Sequence, residues 1–101
     1  MTVTTITIDS TSWTPVTATR NCDYLWIRKL PVSVLMVTSL GGHQQTFLAG
    51  EEIPRERLPF APRPGYDAHN SGSGRRYAAG DVAFYLQSTS GTQTLEQIEE
   101  S

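Results

Sequence analysis

The chain has little with which to do chemistry. It carries one cysteine and two histidines in 101 residues, and no established catalytic signature. A lone Cys22 cannot close an internal disulfide, which fits assembly in a reducing cytoplasm. No apolar run reaches the length of a membrane-crossing helix. The opening MTVTTITIDS has neither a basic n-region nor an apolar h-region, so it reads as strand rather than signal peptide. No segment holds a convincing helical period. Apolar residues make up 38%, a modest share. At this length the chain is expected to form one domain, residues 1–101, burying roughly 60–70% of its unfolded surface.

The chemical candidates fail on spacing. His43, His69, Cys22 and Asp67 include metal-ligating types, but no pair has the spacing of a zinc or iron site. No G-x-S-x-G elbow supports a serine nucleophile, and the serines cluster in turns. Cys22 reads as a small buried residue rather than a nucleophile. Gly72-Ser73-Gly74-Arg75-Arg76 lacks the P-loop spacing and no helix follows it. With a pI near 5.5, a nucleic-acid partner is not expected. No cofactor is implied, and no enzymatic activity is expected.

What the sequence does contain is strand. Thr2 to Asp9 alternates Ile6 and Ile8 with Thr5 and Thr7. Trp13-Thr14-Pro15-Val16 follows, where Pro15 permits only an edge or irregular position. Tyr24 to Leu30 sets Leu25 and Ile27 against Tyr24, Trp26 and Arg28. Val32 to Thr38 is apolar on both faces, as in a strand covered on both sides. Gly41-Gly42 predicts a hairpin to a return strand at His43–Leu48. Val82, Phe84 and Leu86 alternate with Ala83, Tyr85 and Gln87. Ser88 to Gly91 is a turn, and Thr92 to Glu99 is expected to return as the partner strand of that hairpin. Leu95 and Ile98 differ in parity, which suggests that the last turn is bulged, with a helical turn as the alternative. Leu48-Ala-Gly-Glu-Glu-Ile53 echoes Ala78-Ala-Gly-Asp-Val-Ala83, consistent with one local turn used twice. The sum is an all-β chain of about six to eight short strands, an antiparallel β-sandwich or jelly-roll-like barrel. Val32–Thr38 and Val82–Ser88 should be central. Leu25, Ile27, Val34, Met36, Phe84 and Leu86 should be buried.

Between the strands lies Pro54 to Arg76, with prolines at 54, 59, 62 and 64 and no periodicity. It reads as an extended arm. Its five arginines face Glu56 and Asp67, a net +3, while the rest of the chain carries −5. Such a split favours contact with an acidic neighbour. The candidate interface residues are Arg55, Arg57, Leu58, Phe60, Arg63, Tyr66, Arg75 and Arg76, with Trp13 from the body. Arginines pair bidentately with carboxylates, and the apolar side chains suit pockets on a partner.

The order W-T-P-V, then L-A-G-E-E-I, then A-A-G-D-V-A-F-Y-L-Q-S-T-S-G-T-Q-T-L-E-Q-I-E resembles small virion proteins of tailed bacteriophages. It looks most like their capsid decoration, or cement, proteins. The resemblance implies a β-sandwich or jelly-roll body, made in the host cytoplasm and bound to the outer capsid surface of the virion. The implied partners are the major capsid protein and the chain itself, as a homodimer or homotrimer, with no nucleic acid and no membrane. No catalytic residue is implied. The alternative is a carbohydrate- or receptor-binding module of a phage tail or head fibre, with Trp13, Trp26, Tyr24 and Tyr85 as a sugar platform.

Overall fold

The structure is a computed structural model, and it describes residues 1–54 and 77–100. The described residues form seven strands: β1 (Thr2–Ile8), β2 (Thr14–Thr17), β3 (Tyr24–Arg28), β4 (Val34–Val37), β5 (Gln45–Phe47), β6 (Val82–Ser88) and β7 (Gln93–Glu100). They make two antiparallel sheets, one ordered β1-β7-β3 and the other β2-β6-β4-β5. The sheets form a β-sandwich whose core is drawn from both inner faces.

Alternation explains the core. The three-stranded sheet turns Ile6, Ile8, Leu25, Ile27 and Leu95 inward. The four-stranded sheet answers with Val16, Val34, Met36, Phe47, Phe84 and Leu86. Register sets Val16 opposite Phe84, Met36 opposite Leu86, and Val34 opposite Phe47. All six residues expected in the core are buried, with Ile27, Val34 and Leu86 at 0% exposure. As expected, β4 and β6 are the two central strands of their sheet, and β4–β5 is the hairpin that Gly41-Gly42 announces. Pro15 lies on edge strand β2, whose register breaks between Val16 and Thr17.

Two expectations are overturned. The first is the carboxyl-terminal hairpin. β6 and β7 lie in different sheets, so the turn at Ser88–Gly91 carries the chain across the core rather than back along its neighbour. Ser88 N–H donates to Asp9 O at 2.9 Å and Thr89 Oγ1 to Ser33 O at 2.6 Å, fixing that crossing to both sheets. β7 pairs instead with β1, from the far end of the sequence, and with β3. The second is the bulge or helical turn expected near Leu95 and Ile98. β7 keeps continuous register against β1; Leu95 faces the core, Ile98 faces outward, and both are buried.

The repeated turn is real. At Leu48–Glu51 and at Ala78–Asp81 the acidic residue's N–H donates to the carbonyl of the first residue, at 3.0 Å in each. The acid's side chain then accepts from that first residue's N–H, at 2.6 Å for Glu51 and 2.8 Å for Asp81. Gly50 and Gly80 take φ of 88° and 93°, a region that glycine alone enters freely. Each turn docks on the backbone just past a strand, Leu30 after β3 and Ala18 after β2. Gly50 N–H donates to Leu30 O and Gly80 N–H to Ala18 O, both at 2.8 Å.

Candidate interaction surface

Of the candidate interface residues, Arg55, Arg57, Leu58, Phe60, Arg63, Tyr66, Arg75 and Arg76 lie outside the described residues. So does the expected arm, apart from Pro54. The structure does define where that segment joins the body. Ile53 exchanges both backbone hydrogen bonds with Ile27 at 2.8 Å, and Tyr77 exchanges both with Cys22 at 3.0 Å. Ile53 is 0% and Tyr77 3% exposed. One junction therefore sits on the outer edge of β3 and the other on the segment that leads into it, both held by backbone bonds and buried side chains.

Beside the first junction is an open depression of about 440 Å³, lined by Arg28, Lys29, Gly50, Glu51 and Glu52. Lys29 takes φ of 54°, turning the chain after β3 so that Leu30 is buried and its N–H reaches Glu51 O at 3.2 Å. Arg28 pairs with Glu96 across β3 and β7 at 3.0 Å. Both partners are substantially exposed, so the pair is worth about 0–1 kcal/mol. Among the described residues the lining of the depression offers charges of both signs.

Trp13 is half-buried ahead of β2. Trp26 is buried at 4% exposure. Tyr24 sits on the outward side of the three-stranded sheet and Tyr85 on that of the four-stranded sheet, facing opposite ways. No single face therefore presents the four aromatics. His43 is exposed in the β4–β5 turn. Among the described residues no three of His, Cys, Asp and Glu gather as a metal site.

Sequence reasoning missed a polar cluster inside the sandwich. Glu99 is 0% exposed; it accepts from Thr19 N–H at 2.8 Å and, through its other oxygen, from the Thr19 hydroxyl. Cys22 Sγ lies 3.9 Å from Glu99. Burial, then the Glu99 charge, pushes the Cys22 thiol up to about 11. Gln97, 1% exposed, donates to Thr17 O at 2.9 Å, bonding one sheet to the other. The signal was parity: residues 95, 97 and 99 share a face with Leu95.

No family model, curated protein or solved structure matches the chain.

Proposed function

We propose that the chain is a viral structural protein: a capsid decoration, or cement, protein that binds the outer surface of a phage head and bridges coat subunits. The observation that carries this reading is the placing of the basic segment. A body with net charge −5 holds both ends of a +3 segment on one sandwich edge, each end fixed by reciprocal backbone bonds. A β body that anchors both ends of an arginine- and proline-rich segment fits a protein that clamps a neighbour. The resemblance of the Gly-acid turns and the strand after them to phage decoration proteins supports the same reading. The role is structural rather than enzymatic, and its partners are the major capsid protein and further copies of the chain. The assignment of Arg55, Arg57, Leu58, Phe60, Arg63, Tyr66, Arg75 and Arg76 to the contact belongs to this proposal.

The test is co-sedimentation of the purified chain with phage heads that lack it. Saturable binding is expected. Phe60→Ala should weaken it more than Arg76→Ala, because apolar anchors outweigh exposed ion pairs. Raised salt should slow association more than it speeds release. Failure to bind shells, together with selective binding on a glycan array, would overturn the proposal in favour of a carbohydrate-binding module.

A further inference from the structure

Two open sheets have four edges, and three of these are guarded against pairing. β2 carries Pro15 and a register break. β5 is three residues long. β3 is engaged by Ile53 at Ile27, and the chain just before it by Tyr77 at Cys22. The fourth, β1, is seven residues long, TVTTITI, without charge, proline or register break. No described strand pairs with its outer side. Edges of this kind are normally shortened, charged or covered, because they template pairing.

The direction of its free backbone groups follows from the registers. Ile27 gives both of its groups to Ile53, away from β7. In an antiparallel ladder the alternate residues Tyr24, Trp26 and Arg28 then turn theirs toward Glu100, Ile98 and Glu96. Leu95, Gln97 and Glu99 consequently face β1, opposite Ile6, Thr4 and Thr2. Val3, Thr5 and Thr7 are left directing N–H and C=O out of the edge.

We propose that this edge is a homodimer interface. A second copy's β1 adds antiparallel about a two-fold axis at Thr5, joining two three-stranded sheets into one of six strands. The occupant is a second copy because the edge is complementary to itself. The row Val3, Thr5, Thr7 is symmetric about Thr5, so Val3 meets Thr7 of the partner subunit and Thr5 meets Thr5 of the partner subunit. All three outward residues form bonded pairs, about six hydrogen bonds in all. The edge strand is uncharged, and the acid nearest the axis, Glu96 opposite Thr5 on β7, is paired with Arg28, so two net-acidic chains can approach there. Six bonds correspond to roughly 600–1,200 Å² of buried surface, at or below the size of a stable complex. The dimer is therefore weak, and forms at high concentration or when copies are held side by side. It is a property of the chain alone and does not depend on a shell.

Sedimentation velocity of the full chain from micromolar to millimolar concentration tests it. A reversible monomer–dimer equilibrium is expected. Thr5→Lys sets two ammonium groups across the axis and should raise Kd at least about tenfold. Thr5→Pro removes the two central bonds without touching the β7 ladder, and should abolish the dimer. Circular dichroism confirms that each variant is folded; should Thr5→Pro unfold the chain, Thr5→Lys alone decides. Register is read by mild oxidation. Thr5→Cys should crosslink to itself, whereas Val3→Cys should not, because its two copies stand four residues apart, roughly 13 Å. A monomer at every concentration, a dimer indifferent to Thr5→Lys, or Val3→Cys crosslinking as readily as Thr5→Cys would overturn the proposal.

Discussion

Glu99 and Cys22 show how much a single buried charge decides. A carboxylate with 0% exposure is tolerated because the Thr19 N–H and hydroxyl both donate to it. It in turn disfavours a thiolate at Cys22. The thiol keeps its proton in the folded state up to about pH 11, whereas the unfolded thiol loses it near 9.0. The unfolded chain thus binds fewer protons between those values. The contribution to stability is complete below pH 9 and is lost as pH rises toward 11. Denaturation midpoints should fall across that window, and Cys22→Ala should flatten the fall. Glu99→Gln keeps an acceptor for Thr19 and removes the charge. It should lower the Cys22 pKa while burial still holds it above 9, as followed by thiolate absorbance. Parity with Leu95 turns residues 97 and 99 inward, but Gln and Glu are residue types that ordinarily mark a solvent face, so the sequence reading passed over them.

At the scale of elements, local signals were legible and distant ones were not. Pro15 marked an edge, Gly41-Gly42 a hairpin, and the Ala-Gly-acid echo a turn used twice; each depends on a few adjacent residues. Ser88 to Gly91 also marked a turn, but turn chemistry does not say whether the next strand joins the same sheet or the facing one. Adjacent strands lie about 4.8 Å apart and facing sheets about 10 Å, and a short polar turn serves either. The pairing of β1 with β7 joins the two ends of the described chain, beyond the reach of local pattern. The twin turns carry their own test. A Cβ at Gly50 or Gly80 meets nothing within 4 Å, so the cost of alanine is the positive φ alone. Gly50→Ala and Gly80→Ala should each destabilise by about 1–2 kcal/mol in urea unfolding, without loss of fold. A larger loss would mean that the turns bear on more than local geometry.

For the molecule as a whole, the core was readable because alternation alone assigns Leu25, Ile27, Val34, Met36, Phe84 and Leu86 to one interior. The candidate contact was readable only as composition, since charge and proline content say where a segment cannot fold but not what it meets. The body and the segment can nevertheless be separated by experiment. Ile53 is tied to β3 and Tyr77 to Cys22 just before β3, each by reciprocal backbone bonds, and both side chains are buried in the core cluster. Their partners, Ile27 and Cys22, stand five residues apart along the chain, about 17 Å. An extended linker covers at most about 3.3–3.6 Å per residue, so about eight Gly-Ser residues span the gap with slack. Replacing residues 55–75 by such a linker should leave the strand spectrum unchanged, and the melting temperature within a few degrees. A flexible closure of that length costs little more than a tight one. The same variant should fail to sediment with phage heads yet still dimerise through β1. A shortened chain that binds heads as well as the intact protein would place the contact outside residues 55–75 and overturn their role as a clamp.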